Sequence, residues 1–190
     1  MTNLIVKIAR LIERIARWLG EITSWLVLGT LASVLVAVFA SAMRANEMLI
    51  WGVDIPLFGE NLSVNDVIDL EWHFFAIMVM IGGTYAYLDD KHVRSDLIYS
   101  GLSRKTKNWI DSIGDLFLML PFAAVMCWLS FGFMMRSYNS GEGSDYGGML
   151  DRWMIKSMIP IGFAILCLVI LARVIRRILD DDTLTETSES

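Results

Sequence analysis

The chain has 190 residues, 55% of them hydrophobic, with a mean hydropathy of +0.53 and a formal net charge of −5. That is too apolar for an ordinary soluble domain, and seven Trp, twelve Met and nine Phe suit lipid contact better than an aqueous core. The basic residues are split among segments and form no continuous patch, which argues against nucleic-acid binding.

Residues 4–19 place Leu4, Ile5, Ile8, Leu11, Ile12, Ile15 and Leu19 at helical spacing, with Lys7, Arg10, Arg14 and Arg17 on the other side. This is the pattern of an interfacial helix lying in the headgroup layer, with Trp18 as an anchor. Residues 22–43 form the first span, uncharged throughout. Ala40-Ser41-Ala42 resembles a signal cleavage site, but the preceding basic region is long and amphipathic, so the segment is read as retained.

Residues 44–70 are expected to be an acidic loop, extended from Trp51 to Phe58 around Pro56. Ser63 followed by Asp66 reads as a helix start, so the second helix begins before the bilayer. Its apolar run is 72–88, with Glu71 at one mouth and Asp89, Asp90, Lys91, His92, Arg94 and Asp96 crowding the other. Gly82-Gly83 inside it costs helix stability, a cost offset where small residues admit a neighbouring helix.

Ser103 is placed to cap a helix leading into the third span, 116–135, which Pro121 should kink near its start. Gly141, Gly143, Gly147 and Gly148 mark a turn-rich loop, and 157–172 is the fourth span, with Pro160 in its first turns. The acidic, Ser/Thr-rich stretch 179–190 reads as a disordered tail. The expectation is an all-α membrane protein with a single domain over 1–178. Lys and Arg number twelve around the N-terminus, the second loop and the C-terminal flank, against four in the first and third loops. The positive-inside rule therefore puts both termini in the cytoplasm.

Chemistry is sparse. His73 and His92 lie near opposite faces and cannot jointly ligate a haem, and no nucleotide, hydrolase or metalloprotease motif occurs. His92 and Asp96, four apart, suit a structural or partner contact better than a metal site. Cys127 and Cys167 sit in apolar runs and read as unpaired thiols. Glu71 is open to three roles: a helix-end carboxylate, a salt bridge to a partner, or an ion site. The spans carry no internal charge, unlike a chain that itself translocates an ionic solute. Residues alone leave open a transporter scaffold, a membrane-anchored assembly or regulatory module, and a redox-enzyme subunit.

Several motifs, in order, carry a resemblance. They are Glu71-Trp72-His73, His92 through Asp96 (HVRSD), Gly141 through Ser144 (GEGS), Arg152-Trp153, and Lys156 through Gly162 (KSMIPIG). Over roughly residues 15–178 the chain resembles the small, DctQ-like membrane subunit of tripartite ATP-independent periplasmic (TRAP) transporters. The family pattern would also place a proline between Tyr146 and Asp151, and this chain has none. The resemblance implies an inner-membrane location and a large multi-span partner subunit that carries an organic acid on a sodium gradient. A periplasmic binding protein would deliver the substrate. It implies no catalytic residue and no cofactor on this chain, with sodium held by the large subunit. Glu71, Trp72, Gly82, Gly83, His92, Arg94, Asp96, Arg152, Trp153 and Lys156 are then subunit-contact or helix-end residues.

Overall fold

The computed structural model describes residues 2–89 and 101–186. Helix α1 (Thr2–Ser24) and helix α2 (Leu26–Ala42) are separated by Trp25 alone, itself in an αR conformation. Strand β1 (Glu47–Ile55) pairs antiparallel with β2 (Gly59–Ser63). Then come α3 (Val64–Leu88), α4 (Arg104–Gly114), a π-helical segment (Asp115–Met119), α5 (Leu120–Ser140) and α6 (Trp153–Glu186).

Four helical runs are long and apolar enough to cross a membrane: Leu4–Ala42, Val64–Leu88, Lys105–Ser140 and Trp153–Leu179. The first, of 39 residues, reaches about 58 Å at ~1.5 Å per residue. That is nearly twice a ~30 Å hydrocarbon core, so much of α1 projects beyond it.

Helix α6 is the hub, packing on α1, α3 and α5, while α2 lies along α3. One buried cluster joins Ala16, Tyr87, Leu88, Ala123, Val169, Ile170 and Val174 at the end of the bundle that carries both termini. A smaller one, Ala37, Ala40, Val64 and Val67, closes the opposite end beneath the β-hairpin. Helices meet closely at single glycines. A Cβ on Gly20 would come within 2.5 Å of Tyr85, one on Gly29 within 2.9 Å of Phe74, and one on Gly162 within 2.9 Å of Met80. Without an aqueous hydrophobic drive, such backbone approach is a main source of helix association in lipid.

The amphipathic helix is present, but it has three faces rather than two. Ala9, Ala16 and Gly20 face the protein, and the stripe Leu4, Ile8, Leu11, Ile15, Trp18 and Ile22 is exposed.

The first loop is more ordered than expected. Its extended segment is one strand of a hairpin, with Pro56 in the turn, Gly59 at φ +66, and the Trp51 indole donating to the Gly59 carbonyl at 2.7 Å. The helix start at Ser63 is a full capping box: Ser63 N donates to Asp66 Oδ2 (2.6 Å), and Asp66 N to Ser63 Oγ (3.4 Å). Such a cap contributes about 1 kcal/mol. Pro121 coincides with a local change of helix type. Its missing N–H follows a π turn in which Leu120 N reaches back to Asp115 O. Helix α6 continues to Glu186, past the expected start of a disordered tail at residue 179.

Candidate subunit-contact surface

Several of the described charges at the termini-bearing end are paired inside the chain. Arg173, 6% exposed, donates to the Tyr87 carbonyl at 2.6 Å, and its guanidinium lies 5.0 Å from the Tyr87 ring centroid. Arg17 pairs with Asp89 and donates to the Leu88 carbonyl at 3.1 Å. Helix α3 has no basic residue in its own last turn, so α1 and α6 supply the cations that satisfy its terminal carbonyls. The Tyr87 hydroxyl and Arg177 both donate to Asp115 Oδ2 at 2.7 Å, and Arg177 lies 3.6 Å from Asp111. Arg176 donates to Glu13 at 2.9 Å. The π turn thus delivers Asp115 to a junction of α3 and α6.

At the hairpin end the Gly-rich loop folds over the start of α3. Met149 N donates to Asp69 Oδ2 (3.0 Å), the Asn65 amide donates to Tyr146 O (2.6 Å), and Leu150 N donates to Leu57 O (2.8 Å). Three expected contact residues are used here within the chain. Lys156 donates to Glu142 at 2.5 Å and sits 4.2 Å from the Phe133 ring centroid. Arg152 bonds Asp145 at 3.1 Å, and Trp153 stands edge-on to Tyr138. The Lys156 ammonium holds the Glu142 carboxyl below its ordinary range. These pairs brace the loop without a proline between 146 and 151; Gly147 and Asp151 make its turns at φ +70 and +55.

The other candidates gather on one face of α3. Trp72, Phe75, Val79 and Gly83 are exposed at helical spacing, flanked by half-buried Glu71 and Gly82. Trp72 is 63% exposed and edge-on to Phe75. Glu71 lies two turns inside α3 rather than at its end, with no side-chain partner among the described residues. An added Cβ at Gly82 or Gly83 meets nothing within 4 Å, so the pair makes no close backbone approach to a helix among the described residues. The adjoining face of α3, through Asp69 and Met80, meets the Gly-rich loop and α6. His92, Arg94 and Asp96 lie outside the described residues.

The family described as "Tripartite ATP-independent periplasmic transporters, DctQ component" matches residues 56–180. The chain belongs to that family. It is accordingly a small membrane component of a TRAP transporter and a multi-pass inner-membrane protein. Neither the curated proteins nor the solved structures yield a match. The DctQ match begins at Pro56, so it covers the α3 stripe and the Gly-rich loop but not α1 or α2. What sequence reasoning missed is the arginine network at the termini-bearing end, whose members stand as far apart as Glu13 and Arg176.

Proposed function

We propose that this DctQ chain is a fixed scaffold: it packs against a large transport subunit and widens the frame against which that subunit moves its cargo. The cargo is an organic acid imported on a sodium gradient and delivered by a periplasmic binding protein, with substrate and sodium bound on the other chains. Both termini lie in the cytoplasm, following the Lys/Arg asymmetry. The carrying observation is the exposed stripe from Trp72 to Gly83, which rises about 16 Å along α3 and has two glycines open for a foreign backbone. The scaffold role draws further support from spans that hold no Asp, Glu, Lys or Arg at mid-depth. Glu71, unpartnered beside Trp72, is suited to a salt bridge across that contact.

The test is co-purification from native membranes in mild detergent, followed by uptake in proteoliposomes. Stoichiometric recovery of a much larger multi-span protein, with uptake lost when this chain is omitted, is the expected result. Recovery of the chain alone across several detergents would sink the reading in favour of an assembly module.

A further inference from the structure

A groove of about 470 Å³ opens where the α1–α2 junction passes α3, beside the lower end of the exposed stripe. Glu21 lines it, and its carboxylate has no partner among the described residues. Two of the three hydroxyls that line it, those of Thr23 and Ser24, have spent their protons locally. Thr23 Oγ1 donates to Leu19 O at 2.9 Å, and Ser24 Oγ donates to Glu21 O at 2.6 Å. Each therefore offers the groove lone pairs only. The aromatic side chains of Trp25 and Tyr85 and the thioether of Met78 supply the apolar wall, and Gly82 leaves the floor open.

Glu21 is the charged residue of this lining, and the Trp25 indole and the Tyr85 phenol are its side-chain donors. A carboxylate, two hydroxyl oxygens and two aromatic rings suit a cation on an apolar stem. A free divalent ion would find one carboxylate where six or more oxygens are wanted. A phospholipid headgroup would bring a phosphate, and no Lys or Arg lines the groove to meet it. We propose that the groove receives a lysine or arginine side chain of the large transport subunit, its cation paired with Glu21 and its stem laid along Met78, Trp25 and Tyr85. This rests on the reading that the large subunit covers the α3 stripe, which runs into the groove at Gly82.

The test co-expresses the full chain with the large subunit and compares wild type, Glu21→Gln and Glu21→Lys by recovery of the complex. In parallel, a photo-crosslinking amino acid replaces Trp25, which is 71% exposed, in the Glu21 background. The expected result is roughly tenfold weaker association for Glu21→Gln, a larger loss for Glu21→Lys, and a crosslinked partner peptide containing Lys or Arg. Equal recovery of all three proteins would overturn the groove proposal alone. So would a crosslink to phospholipid, to a partner peptide without a cation, or to nothing. Failure of wild type to recover the large subunit would overturn the scaffold reading, and the groove proposal with it.

Discussion

Arg173 terminates a helix to which it does not belong. Its guanidinium reaches the Tyr87 carbonyl at 2.6 Å while lying over the ring of the same residue, so α6 both caps α3 and clamps its last turn.

Replacing Arg173 with Ala removes that donor and leaves a buried carbonyl unsatisfied. A loss of about 2–4 kcal/mol is expected. It should be read as a lowered thermal midpoint in detergent, with Arg173→Lys intermediate because an ammonium lacks the planar fork. An unchanged midpoint for Arg173→Ala would remove the capping role.

Gly162 and Gly82 should behave oppositely. Ala at Gly162 drives a Cβ to 2.9 Å from Met80 Cβ and 3.2 Å from its carbonyl oxygen. The α3–α6 contact must then shift, at about 1–3 kcal/mol. Ala at Gly82 meets nothing and should stabilise the isolated subunit by up to ~1 kcal/mol through helix propensity. Leu at both Gly82 and Gly83 should leave the isolated fold intact yet weaken recovery of the large subunit. Full complex yield from the double Leu variant would move the contact elsewhere.

Glu142 gives the hairpin end a pH dependence. Its carboxyl is held low chiefly by the hydrogen bond from Lys156. A depressed folded-state value means that the stabilisation is fully present above the ordinary carboxylate range and is lost as pH falls through the folded value. Amide protection across residues 141–152, relative to the intrinsic exchange rate at each pH, should therefore fall on acidification. Glu142→Gln should exchange faster at neutral pH and show a flatter profile; parallel profiles would deny the pair this role.

Asp69 holds the same loop from the other side by accepting from Met149 N. Asp69→Ala should cost about 1–2 kcal/mol locally and open the 144–150 segment to limited proteolysis. A cleavage rate equal to wild type would show that the Asn65 and Leu57 contacts suffice.

The spans and the helix start at Ser63 were legible because charge-free runs and a Ser-x-x-Asp cap are local patterns. The hairpin was not, because most of β1 is exposed and shows no alternation to read. The glycines divide in an instructive way. The Gly82-Gly83 doublet draws attention, yet the close approaches inside the chain use the isolated Gly20, Gly29 and Gly162, whose partners depend on helix register. Lys156, Arg152 and Trp153 read as contact residues, and what they contact is their own loop and α5. The exposed α3 face from Trp72 to Gly83 was half visible: Trp72 and Gly83 were singled out, but their alignment with Phe75 and Val79 on one unpacked stripe needed the packing of the neighbouring faces.

Arg17, Arg173, Arg176 and Arg177 belong to the group of twelve cations that sets the orientation rule, and all four also close internal pairs. Three of them arrive on α6, which is made after every element they fasten. Until then the tail of α3 lacks its Arg173 cap, Glu13 has no Arg176, and Asp115 has no Arg177. These cations therefore serve twice, as charges counted by the positive-inside rule and as fasteners that cannot close until α6 has followed the helices it binds.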